Sequence, residues 1–322
     1  LVFGVILAVL AAAANAASNV LQRKANREQP PELSMSPRLL VELARRPVWL
    51  AGIVLVVASF LLMAAALDMG RLSAIQPILV LELPMTLLAG SFVFGSPLHS
   101  REWLSAGAMT LGLAGLIAFL APAGGSHGRA SGAMWLVSSA LTLGAVLGCV
   151  LLSYTGGPGR RPAMLGVAAG IAFGLTAAYM KGMTASFHDG IAGIVTTWQT
   201  YAVAVAGVGA MFLMQNALHA GRLLAAQPGL TLADPGVAMV WGMLVFKETV
   251  RGGPWLAPSV VSGLLLAAGA IALARSPLLE GVAATGEDDG REKAGTDRAG
   301  RQEKRDRGEN RPPKAHPVGQ AG

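Results

Sequence analysis

The sequence predicts an all-α polytopic membrane protein of about nine transmembrane helices, and three observations lead there. Of 322 residues, 53% are hydrophobic and only 13% charged, whereas a soluble domain carries roughly 25% charge because its surface must face water. The charge is also unevenly placed: residues 1–274 hold 15 Lys/Arg and 9 Asp/Glu, while the last 48 residues hold 10 and 9. Finally, apolar stretches recur that reach the ~20 residues a helix needs to cross a hydrocarbon core of ~30 Å. They run over about 1–21, 48–67, 72–94, 103–121, 132–153, 163–182, 191–214, 223–246 and 255–274. Irregular backbone cannot face lipid, so each is expected to be helical.

Span 1 is Ala-rich near residues 14–17 and looks superficially like a cleavable leader. It has no basic segment ahead of the apolar run, and Arg23, Lys24 and Arg27 follow it, an order that favours a retained span with its N-terminus outside. The chain opens on Leu1 rather than Met, so a few residues are expected to precede it. Within span 1, Asn15, Ser18, Asn19 and Gln22 form one polar stripe at i, i+3, i+4, i+7. Trp49, Trp103, Trp135 and Trp255 open spans 2, 4, 5 and 9, where an interfacial belt is expected; Trp198 and Trp241 are deeper. Span 3 carries Gln76, Pro77, Glu82 and Pro84. Span 5 contains the single cysteine, Cys149, which excludes an intrachain disulfide or a CxxC metal site and reads as a small packing residue. Lys181, near the outer end of span 6, is expected to snorkel. Span 7 has a short polar stripe of Thr196, Gln199 and Thr200, and span 8 carries Gln227, Pro228, Asp234 and Pro235.

Residues 276–322 are rich in Gly, Arg, Lys, Glu and Asp. Such a segment buries too little surface to offset its ordering entropy and is expected to be a disordered tail. The net charge of +7 forms no aromatic-interleaved basic patch, so nucleic acid is not an expected partner. Counted by loop, the first, third, fifth and seventh connections hold 10 Lys/Arg and the even ones 5. The positive-inside rule then places the odd loops and the tail in the cytoplasm, with the N-terminus outside.

An internal repeat organises these spans. Residues 61–84 align without gaps to 212–235, matching at 13 of 24 positions. Seven matches are Leu or Ala; the informative six are Met63, Gly70, Arg71, Gln76, Pro77 and Pro84, onto Met214, Gly221, Arg222, Gln227, Pro228 and Pro235. Span 1 lays onto span 6 with Ala8, Ala12 and Ala16 on Gly166, Gly170 and Gly174, small-residue stripes that let helices approach closely. The copies lie five spans apart, so the second enters the membrane from the opposite face. The expected divisions are a first repeat at 1–121, a linking helix at 132–153, an inverted repeat at 163–275 and the tail. Inverted repeats suit alternating access, with a midplane site flanked by interrupted helices.

Glu82 and Asp234 lie near the middle of spans 3 and 8, each beside a repeat-matched proline. A carboxylate at the bilayer centre costs ~2.5–3.5 kcal/mol on insertion scales, so it needs a partner or a wet cavity. The prolines free backbone carbonyls of Val80, Thr231, Ser73 and Leu224, and carbonyls with carboxylates suit a hard cation or a proton. The candidate substrate or ion site is therefore Glu82, Asp234, Gln76, Gln227, Asn15, Asn19 and Gln199, with helix breaks at Pro77, Pro84, Pro228 and Pro235; if a cation is carried, Glu82 and Asp234 are its candidate ligands. The alternatives are that the prolines are ordinary kinks, that the acids are structural partners for Lys181 or Arg23, and that the amides serve as interhelical glue.

The five-span halves, the Gly-Arg-Leu-x-x-x-Gln-Pro segments and Phe246-Lys247-Glu248 before a Trp-led final span resemble the drug/metabolite transporter superfamily with its EamA-type repeats. Gly182 after Lys181, the stretch Phe212 to Arg222, and Phe246-Lys247-Glu248 are most similar to its nine-span branch, the NIPA-like magnesium transporters. The resemblance covers roughly 1–275. It implies a helical bundle, alternating access, and a metabolite, drug or Mg²⁺ as substrate. The span that usually follows span 1 in the ten-span pattern is replaced by the polar stretch 23–46, and the Glu82/Asp234 pair is not matched to the magnesium branch, so the resemblance does not carry that branch's substrate over.

The expected function is thus a secondary transporter of the inner (plasma) membrane, moving a small solute or cation, with protons as candidate coupling ions and no cofactor. A Mg²⁺ carrier and a non-transporting scaffold are the alternatives. Enzymatic chemistry is not expected. A Glu82/Asp234 protease dyad lacks the flexible glycine before its aspartate, since Ala233 stands there, and no nucleophile elbow, phosphate loop or His cluster appears.

Overall fold

The computed structural model describes residues 2–27, 45–95, 98–125, 130–155, 160–220 and 223–275. They belong to one compact unit, Leu1–Leu279. The expected disordered tail, 276–322, and most of the connection between the first two spans, 28–44, lie outside the described residues.

The described chain is an all-α bundle. Its helices are α1 (Val2–Arg27), α2 (Pro47–Met69), α3 (Leu72–Leu79), α4 (Glu82–Phe94), α5 (Ser100–Leu120), α6 (Gly132–Ser153), α7 (Arg160–Thr184), α8 (Gly190–Thr196), α9 (Trp198–His219), α10 (Leu223–Leu244) and α11 (Leu256–Ala274). Two short strands, β1 (Ala123–Gly124) and β2 (Glu248–Thr249), pair antiparallel at one end. Eight helical spans among the described residues are long and apolar enough to cross a membrane, α3 and α4 together forming one of them, Leu72–Phe94. The chain is therefore a multi-pass membrane protein by length and composition. The ninth expected span, α10, is helical over 22 residues but stands outside that set, because Gln227, Thr231 and Asp234 dilute its apolar character.

Apolar side chains cover the outside as well as the inside. Leu136, Leu141, Leu147 and Leu151 on α6, and Val205, Val208 and Phe212 on α9, are exposed, as lipid-facing helices require. The centre is α7, with 67% of its apolar window buried, against 11% for α6. Small residues explain this. A Cβ on Gly166 would lie 2.2 Å from the Ala226 carbonyl oxygen, one on Gly170 2.7 Å from that of Leu230, and one on Gly174 2.7 Å from that of Asp234. The expected glycine stripe is thus the seam on which α10 rests against α7. Its counterpart, Ala8, Ala12 and Ala16, is likewise buried, and α1 packs along α2. Helix α5 packs along α11 through Gly112 and Gly269, where a Cβ would come within 2.5 Å of Leu266 N and 2.8 Å of Met109 Cγ.

Several details differ from expectation. Trp135, in the first turn of α6, is not open to the surroundings; it is 7% exposed and packs with Tyr179, Trp198, Trp241 and Phe246. Span 7 starts later than expected, with Thr197 in extended backbone between α8 and α9. The proline-linked break occurs in one copy alone. Span 3 is interrupted at Val80–Leu81, where Pro84 has no N–H and the Val80 carbonyl instead accepts from Leu83 N at 3.3 Å. In span 8, α10 runs continuously through Pro228 and Pro235.

Candidate functional site

The break in span 3 places Glu82 in the first turn of α4, facing α1. Asn19 Nδ2 donates to Glu82 Oε1 at 2.8 Å, and the Asn15 side chain, one turn earlier on the same face, also hydrogen-bonds this carboxylate. The polar stripe of α1 is therefore divided. Ser18 Oγ donates to the Gly52 carbonyl at 2.8 Å and Gln22 Nε2 to Ser18 Oγ at 2.8 Å. Those two residues tie α1 to α2 and its own next turn, while Asn15 and Asn19 hold the acid. Helices are positioned for this by the alanines beneath, since Ala12 and Ala16 are 0% and 1% exposed.

Asp234 sits in the middle of α10, its main-chain carbonyl against Gly174 of α7. It is close enough to Glu82 for the charge of one carboxylate to act on the other. Its Oδ1 is buried and has no hydrogen-bond partner. The other buried side-chain atom without a partner among the described residues is Gln76 Oε1, on α3. An unmet buried acceptor costs about 1–3 kcal/mol. Two of them, on the repeat-matched Gln76 and on Asp234 beside the repeat-matched Pro235, mark places where a proton, cation or hydrogen-bond donor would be stabilised.

The remaining candidates separate. Gln227 Nε2 lies 3.4 Å from Thr231 Oγ1 on its own helix and borders a small void with Gly166, Met214 and Leu230. Gln199 is elsewhere: it lines a cavity of 490 Å³ with Trp135, Lys181, Thr184, Thr197 and Phe246, and its Oε1 accepts from the Thr197 hydroxyl. Pro77 is fully buried within α3, Pro84 shapes the α3–α4 break, and Pro228 and Pro235 lie inside α10.

Lys181 does not snorkel. It is 9% exposed, and its Nζ donates to the carbonyls of Leu67 and of Gly70, the latter at 2.6 Å. Nor does it partner either central acid; the charges of Glu248 and Asp68 act on it instead. Glu248, 5% exposed, accepts from Leu72 N at 2.7 Å, Ser73 N at 2.9 Å and the Ser73 hydroxyl. Sequence reasoning placed neither Glu248 nor Ser73 in a site. The available signal was an acid and a lysine flanking apolar spans, but their partners are backbone groups more than 100 residues away.

In comparisons with known proteins, the chain is similar to an uncharacterized protein of Corynebacterium glutamicum. The two are 28% identical over 279 residues, which covers 84% of this chain and 96% of that one. No family model matches the chain, and no solved structure does.

Proposed function

We propose that the chain is a secondary transporter of the drug/metabolite transporter type, moving a small solute or cation across the inner membrane by alternating access. It crosses the membrane nine times, with the N-terminus outside and the tail in the cytoplasm, and its halves are inverted repeats. One observation carries the reading. Two mid-span acids from the two repeat copies lie within electrostatic reach of each other, one held by Asn15 and Asn19 and the other with a buried oxygen unpartnered. A bundle with no transport task has little reason to keep two such charges in an apolar interior.

Packing supports the repeat. Helix α1 packs on α2 and on α3–α4 in the first copy, α7 packs on α9 and α10 in the second, and α5 meets α11 across the two. In the working cycle, a proton reaching Glu82 or Asp234 weakens the site's hold on a cationic cargo, and its departure on the other side restores the site. Mg²⁺ is the second reading. The unmet atoms are hard oxygens, and Mg²⁺ sites commonly use one or two carboxylates with retained waters. In proteoliposomes, Glu82→Gln and Asp234→Asn should each abolish pH-dependent flux of the cargo, screened among metal ions and metabolites. Unchanged flux in both variants would remove the assignment, and growth rescue of a strain lacking Mg²⁺ uptake would select the second reading.

A further inference from the structure

The turn between α2 and α3 is only two residues long, Gly70 and Arg71. It leaves the last carbonyls of α2 and the first amides of α3 to be satisfied from outside, and Arg71 provides no side-chain cap. Both sets are met by the second repeat. The Lys181 ammonium binds Leu67 O and Gly70 O, and the Glu248 carboxylate binds Leu72 N, Ser73 N and Ser73 Oγ. Each charge faces the helix terminus of opposite sign. Room for the carboxylate comes from Gly242, where a Cβ would stand 2.5 Å from Glu248 Oε2. The same end is joined by the β1–β2 pair, by Thr249 Oγ1 to Ala123 O at 2.9 Å, by Arg251 N to Leu120 O at 2.8 Å, and by Arg71 Nε to Gly124 O at 2.8 Å.

We propose that Lys181 and Glu248 form a latch that closes this end of the bundle between the two repeats, and that the latch must open for the Glu82–Asp234 site to be reached from that side. The inference rests on the transport reading. Its physical basis is a contrast between two kinds of contact joining the halves. The α5–α11 seam is glycine against backbone at Gly112 and Gly269. Separating it would expose close-packed surface with nothing to replace the lost contacts. At the latch, Lys181 and Glu248 are held by hydrogen bonds and charge contacts whose donors and acceptors water can take over when the end separates, while α3 also packs on α10, with Gly242 against Ser73. The seam runs the length of α5: Gly269 packs on Met109 and Ser105, Gly112 and Gly115 pack on Leu266 and Ser262, and Phe119 stacks on Trp255 beside Leu120 and β1. In this proposal the seam stays closed as the support and the Lys181–Glu248 contacts are the part that opens.

The test uses the full chain in lipid vesicles with Cys149→Ser as background. Hydrogen exchange at the Leu72 and Ser73 amides reads opening directly, because both are bonded to Glu248. Glu248→Gln and Lys181→Met should each speed that exchange at least tenfold. A disulfide between Ala123→Cys and Thr249→Cys, which are register partners, should slow it at least tenfold against the reduced protein and halt flux until reduced. The cross-link arm carries the test if the single variants fold poorly. Exchange that is insensitive to the cross-link, or full flux with the cross-link intact, would overturn the proposal. Slowed exchange in a protein that carries no cargo would leave the latch standing and remove the transport reading alone.

Discussion

Asp234 keeps one carboxylate oxygen buried away from every hydrogen-bond donor among the described residues, whereas Glu82 is held by two asparagines on one face of α1. An acid retained for structure would lose stability when removed; an acid retained for transport should gain it. Asp234→Leu is therefore expected to raise the unfolding temperature in detergent, by the equivalent of about 1–3 kcal/mol, while abolishing flux. Loss of both would make Asp234 a structural residue. Asn19→Ala removes a hydrogen bond to a charged group, worth about 1.5–3 kcal/mol, and should weaken cargo binding several-fold in a titration without unfolding the protein. Both acids were legible in the sequence because a charge inside an apolar run is conspicuous by itself. Lys181 was equally conspicuous, yet its role was not legible: a lysine near a span end has a generic explanation, and the carbonyls it binds belong to a turn more than 100 residues away.

Paired helix-breaking prolines give the clearest comparison between elements. Pro84 lies at the α3–α4 break and Pro235 inside an unbroken α10. Alanine at 84 restores an N–H that can bond the Val80 carbonyl, now shared with Leu83 in a tightened turn. Pro84→Ala should therefore raise hydrogen-exchange protection across residues 81–85 and slow transport at least several-fold, while Pro235→Ala should change both far less. Equal effects would show that the break has no part in function. Glycines offer a second contrast. Gly170→Val places a side chain into the carbonyls of Gly229 and Leu230 and should cost at least about 1–3 kcal/mol as overpacking, whereas Gly144, with open space around its Cβ position, should accept valine. The spans were legible because lipid imposes length and apolarity on each alone. What was not legible is what depends on neighbours: that α10 stays helical through Pro228 and Pro235 while packed on the Gly166–Gly174 seam of α7, that Trp135 is claimed by four other rings, and that Thr197 interrupts span 7 beside the cavity.

At the scale of the whole molecule, the proposed inversion of the two copies is the property on which the alternating-access reading rests, and it can be tested without knowing the cargo. The α2–α3 turn and the connection between α9 and α10 correspond in the matched sequence: α3 begins at Leu72 and α10 at Leu223, a separation of 151 residues that is also the offset of the match. Between the two turns lie the spans Leu72–Phe94, Ser100–Leu120, Gly132–Ser153, Arg160–Thr184 and Trp198–Leu218. If all five cross, an odd number, the two connections open on opposite faces of the membrane whether or not α10 completes a ninth crossing. In a Cys149→Ser background, Met69→Cys should react with an impermeant maleimide from the periplasmic side. Ala220→Cys should react only when the reagent reaches the cytoplasmic side, beside the larger share of Lys/Arg. Labelling of both from one side would mean that one of the five helices does not span. The halves would then be parallel, and a shared midplane site with the Lys181–Glu248 latch at only one end would lose its symmetry argument.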